Sequence, residues 1–110
     1  MQLEEIFDMG NKVSAVLAPA NLHCKLYCQV SIQDAEGRLA TQAYCSDAYH
    51  LENVIFAVSR TEAIRQIALD KITHHNWEFD PDNAFAIMYW ADPNQGLIIN
   101  VNISLEIKGK

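Results

Sequence analysis

The chain has 110 residues, half of them hydrophobic and a fifth charged, with fourteen acidic against eight basic side chains and a net charge of −6. That balance excludes a disordered chain and predicts one globular domain over residues 1–110 with a modest core. Negative charge opposes phosphate backbones and anionic membranes, so direct nucleic-acid or membrane binding is not expected, and a partner with a basic surface is.

Leu3, Ile6, Phe7, Gly10, Val13 and Leu17 recur at helical spacing, with Glu4, Glu5, Asp8, Asn11 and Lys12 on the other side. A helix is predicted over residues 2–18; the two glutamates suit its N-terminal dipole, and Pro19 stops it. From His23 the period becomes two. Cys24, Leu26, Cys28, Val30 and Ile32 share one face; His23, Lys25, Tyr27, Gln29 and Ser31 share the other. Asp34-Ala35-Glu36-Gly37 reads as a turn, and Arg38 to Cys45 as the returning strand of a hairpin.

Residues 46–58 fit two patterns. Val54, Phe56 and Val58 alternate as a strand, whereas Ala48, Leu51, Val54, Ile55 and Val58 fit a helix; the expectation is a loop and a short strand. Ser59 and Glu62 have the spacing of a capping box, predicting a helix from about Arg60 to His74 with Ala63, Ile64, Ile67, Ala68 and Ile72 inward. The segment from Asn76 to Asn83, with Pro81 inside it, reads as a loop. Ala84 to Ala91 reads as a strand, Asp92 to Gly96 as a turn. The last strand sets Ile99, Val101, Ile103, Leu105 and Ile107 against Asn100, Asn102, Ser104, Glu106 and Lys108. The expected fold is α+β: an antiparallel sheet of four to five strands with helices on one face, in the order α-β-β-(β)-α-β-β.

The run His23-Cys24-Lys25-Leu26-Tyr27-Cys28 raises the possibility of metal or redox chemistry. Strand alternation turns His23 away from both cysteines, so the thiols are expected in the core as small hydrophobes, with no metal or other cofactor. Three cysteines, an odd number, fit a reducing compartment, and the acidic start "MQLEEIFDMG" is unlike a basic secretory leader. No run approaches the roughly 18 apolar residues of a membrane span, so the expected location is the cytoplasm.

His74 and His75 are followed by Glu78, Asp80 and Asp82, groups able to hold a divalent ion or to supply an acid and a base. Their spacing fits neither the H-E-x-x-H helix nor a calcium loop, and imidazoles also suit a helix's last turn. Four scattered glycines make no phosphate loop and no nucleophile motif occurs, so the balance is against an enzyme and no catalytic residue is assigned.

Trp77, Met88, Tyr89 and Trp90 form the candidate interaction surface, since bulky groups fall on both faces of the strand from Ala84. Either the first helix covers Met88 and Trp90 or a partner does. The last strand has few charges to protect it as an edge, so a homodimer through the C-terminal hairpin is expected. No motif identifies a family, but the element order and acidity resemble those of small dimeric secretion chaperones, a likeness of topology. The expected function is a cytosolic protein-interaction module without catalysis: an adaptor, a chaperone-like protein or an inhibitor of a larger, nucleic-acid-handling machine. The alternative is a small enzyme or ligand-binding protein built on residues 74–82.

Overall fold

The computed structural model describes residues 1–80 and 82–109; Pro81, assigned above to a loop, lies outside the described residues. Helix α1 runs over Leu3–Leu17, with the Glu5 carboxylate accepting from the Gln2 N–H at 2.8 Å. Pro19 sits in a 3-10 turn, Ala18–Ala20, and Asn21 takes a left-handed conformation (φ 58°) that sends the chain into β1, Leu22–Asp34. Strand β2 spans Gly37–Cys45, α2 Ala48–Val58 and α3 Glu62–Thr73. Then come β3, Phe79–Asp80, β4, Phe85–Asp92, and β5, Leu97–Gly109.

The five strands form one antiparallel sheet in the order β2-β1-β5-β4-β3. Each register runs unbroken, so side-chain parity is kept across the whole sheet. One face carries Leu26, Cys28, Val30 and Ile32 of β1 beside Ile99, Val101 and Ile103 of β5 and Met88 of β4, all buried. All three helices contribute to the same core, through Leu3, Ile6 and Phe7, through Leu51 and Ile55, and through Ala68 and Ile72. The α+β fold with helices on one face is therefore present. Gly10 lets α1 approach closely: a Cβ there would stand 3.0 Å from Leu26 Cδ1.

Four expectations are corrected. Residues 48–58 are helix, not loop and strand; Asp47 accepts from the His50 N–H at 2.7 Å and starts α2, which buries Leu51 and Ile55. The cap of α3 is Thr61, whose hydroxyl accepts from the Ile64 N–H at 3.2 Å; Ser59 Oγ instead donates to the Ile55 carbonyl at 2.7 Å and closes α2. Of the predicted α3 stripe, Ala68 and Ile72 are buried, Ile64 and Ile67 are half-buried and Ala63 is exposed. Finally, β5 is no edge. It pairs with β1 on one side and β4 on the other, so its uncharged alternation belongs to the strand at the centre of the sheet.

Candidate functional site

The second face of the sheet carries none of the buried core. Parity brings to it the odd residues of β1 and β4 and the even residues of β2 and β5. Rows of side chains cross the strands. One runs Gln42, Gln29, Asn102, Ile87; the next runs Ala40, Ser31, Asn100, Tyr89; a third runs Tyr44, Tyr27, Ser104, Phe85. Large groups stand in the open at the ends of these rows, with Ile87 51% and Tyr89 61% exposed. The centre is a patch of amides and hydroxyls, able to donate and accept hydrogen bonds.

One corner of this face is organised around Tyr44. Its ring lies against Tyr27 (centroids 5.1 Å apart), and the Tyr27 hydroxyl donates to Gln42 Oε1. Lys108 Nζ and Lys25 Nζ lie 5.0 and 5.9 Å from the Tyr44 centroid, within cation–π range. A hydrogen bond to Tyr44 pushes the Lys108 pKa above its ordinary value. The strand residues of the face include Lys25, Arg38 and Lys108 against Glu106 and Asp80, a small excess of positive charge in a chain of net −6. The acidic excess therefore sits on the helices, the turns and the strand ends at Asp34 and Asp92.

The four residues proposed from sequence as an interaction surface separate. Trp77 and Met88 are each 1% exposed and belong to the core; the Trp77 indole donates to the Ile72 carbonyl at 3.4 Å. Burial on the helix-covered side removes both from any docking surface. Trp90 is half-buried on that side, packed on the core, with Lys71 Nζ 5.1 Å from its ring. Tyr89 stands on the open face. The face is legible in the sequence as the polar set of each strand, whereas Tyr27, Tyr44 and Ile87 lie outside the densest aromatic run and are brought to one face only by the pairing of the strands.

The His74–Asp82 segment also separates. His74 Nδ1 lies 3.1 Å from Asp70 Oδ1, back on its own helix. His75 packs edge-on to Trp77, 5.2 Å between centroids, and burial followed by the nearby N-terminal ammonium lowers its pKa. Asp80 accepts from the side-chain amide of Asn83 at 2.7 Å and from the N–H of Asp82, the hydrogen bonds of a turn, and these lower its pKa. His75, Glu78 and Asp80 border an open depression of about 590 Å3 at the β3–β4 edge, with Phe79, Phe85 and Ile87. His74 and Asp82 lie outside it.

Cys28 and Cys45 are buried on the helix side, and Cys24 is half-buried on the same side. The Cys28 thiol is pushed far above its usual range by its hydrogen bond to Cys45 and by burial. A groove of about 370 Å3 between α1 and the start of α2 brings His23, Cys24, Cys45 and His50 to its walls. Among the described residues, no three His, Cys, Asp or Glu side chains are grouped to hold a metal ion. None of the described helices is long and apolar enough to cross a membrane. No protein-family model, no curated protein and no solved structure matches the chain.

Proposed function

We propose that this chain is a cytoplasmic protein-interaction module without catalysis, acting as an adaptor, a chaperone-like protein or an inhibitor, and that it self-associates. The open sheet face carries this reading: five strands are covered by helices on one side only, and the other side presents Ile87, Tyr89 and Tyr44 around a field of amides. Exposed aromatic and aliphatic groups beside side-chain amides are what a polypeptide partner uses, since such contacts combine apolar burial with hydrogen bonds. A partner on this face needs apolar and hydrogen-bonding groups and little positive charge. A basic partner suits the helical side, where the carboxylates are.

The second reading, a small enzyme or ligand-binding protein, draws support from the depression that holds His75, Glu78 and Asp80 together. The first reading is tested in one experiment. Tagged wild type, an Ile87→Lys/Tyr89→Glu variant and a Glu4→Lys/Asp8→Lys variant of the helical side are each expressed in the native host and purified with bound proteins. The expected result is a stoichiometric partner lost from the first variant and kept by the second. A partner kept equally by all three refutes the open face as the docking surface.

A further inference from the structure

The sheet has two outer edges, and they differ in charge. At one end β4 is covered by β3 at Phe85 and Ala86, leaving the stretch from Ile87 to Asp92. That edge lies among carboxylates, Asp80 and Asp82 at one end and Asp92 at the other, with Asp70 at the rim of the hollow beside Tyr89 and Trp90, where Lys71 is the one cation set against them. A second copy of the same chain meeting it would set acid against acid. At the other end β2 is nine residues long, Gly37–Cys45, and is paired with β1 along its whole length. Among the described residues, no backbone group of β2 bonds beyond the β1 ladder. Alternate N–H and C=O groups of an edge strand point outward, ready for another strand.

Nothing in this strand protects it. It contains no proline, its register has no bulge, and its single charged residue is Arg38. Helix α2 packs over the same strand, and its exposed positions Tyr49, His50, Asn53 and Ala57 carry no formal charge at neutral pH; Glu52 is half-buried, and of the carboxylates flanking the strand Asp34 and Glu36 are paired with Arg60, which leaves Asp47. In a chain of net −6, this is the sheet edge at which two copies approach with least repulsion.

We infer that two copies of the chain pair β2 against β2 about a two-fold axis, joining their sheets into one of ten strands. The inference deepens the self-association in the proposed function. An antiparallel register centred on Thr41 is self-complementary: it sets Arg38 of each copy opposite Tyr44 of the other, and Ala40 opposite Gln42. The first pair brings a guanidinium to an aromatic ring, and the second is uncharged. Ala40, Gln42 and Tyr44 all belong to the open face, so the two docking faces become one continuous surface.

The test is sedimentation equilibrium of the purified full chain from about 1 to 200 μM, so its outcome does not depend on finding the functional partner. Wild type is expected to dimerise. Ala40→Lys/Gln42→Lys sets lysine against lysine twice and should raise the dimer dissociation constant by about tenfold or more. Ala40→Glu/Gln42→Lys sets opposite charges together twice in this register and should restore dimerisation. Gln33→Lys, on the same face of β1, should leave it unchanged. Circular dichroism and thermal midpoints establish that each variant is folded. A wild type that stays monomeric overturns the inference and leaves the edge to an extended segment of another protein. A folded double-lysine variant that dimerises like wild type overturns it by placing the contact elsewhere.

Discussion

Ser14 holds both backbone groups of Cys24: its hydroxyl accepts from the Cys24 N–H at 2.7 Å and donates to the Cys24 carbonyl at 3.1 Å. Strand β1 begins before β2 reaches it, since the β1–β2 register ends at Leu26 opposite Cys45, so Cys24 has no ladder partner on that side. One side chain of α1 stands in for the missing strand. Ser14→Ala strands two part-buried backbone groups and should lower stability by about 1–3 kcal/mol, measured by urea unfolding. An unchanged midpoint would mean that water replaces the hydroxyl without loss.

The two hydroxyls between α2 and α3 have different jobs, and aspartate tells them apart. Thr61→Asp keeps an acceptor at the start of α3 and should leave stability within about 0.5 kcal/mol of wild type. Ser59→Asp places a carboxylate in a buried position against the Ile55 carbonyl and should destabilise strongly. If Ser59→Asp is the tolerated one, Ser59 is the cap after all.

In α3, Ile72 is 1% exposed, whereas Ile67 is half-buried. Ile72→Ala should therefore cost about 2–5 kcal/mol and Ile67→Ala distinctly less. Equal losses from the two truncations would place the core side of α3 between them.

Thiol labelling in native buffer should modify Cys24 first, with Cys28 and Cys45 reacting at a comparable rate only in denaturant, because Cys28 is fully buried and Cys45 nearly so. Burial also raises the Cys24 pKa, so even Cys24 should label more slowly than a free thiol. Mass spectrometry of peptides after timed alkylation gives the order. Early modification of Cys28 would contradict its place in the core.

Histidine 75 gives a pH dependence of defined sign. Its folded-state pKa is lowered by burial, so protonation favours the unfolded chain. Its contribution is therefore complete above the ordinary histidine value of 6.5 and is lost as pH falls through the lower folded value. The drop in thermal midpoint between pH 7.5 and pH 5 should shrink in His75→Gln. A drop of the same size in both proteins assigns the acid sensitivity to other groups.

The faces of the strands were readable before the structure, and their neighbours were not. Alternation at Leu26, Cys28, Val30 and Ile32 marks the dry side of β1 whatever lies beside it, because the period of two is a property of one strand. Strand order depends on pairing between distant segments, which leaves no mark on local periodicity. Thus β5 looked like an unprotected edge when its lack of charge reflects a central place. Helix α2 was missed because Val54, Phe56 and Val58 alternate by accident within a helix that buries Leu51 and Ile55; the Asp47 cap was the available signal. Trp77 and Met88 read as surface in the sequence and are core in the structure, because bulk marks contact without saying with whom.

The place of β5 bears on how the chain is made. Among the described residues hairpin β1–β2 and strand β4 share no ladder; each is paired to β5, which follows both in the chain. Before residues 97–109 are available, the two halves of the sheet have nothing to join them, and the apolar sides of β1 and β4 lack their widest neighbour. Folding is then a late, single event, slowed by pairings as distant in sequence as Leu22 with Gly109. Ribosome-bound chains stalled before Leu97 should be digested by protease at every strand, and chains long enough to expose residues 97–109 outside the ribosome should gain resistance all at once.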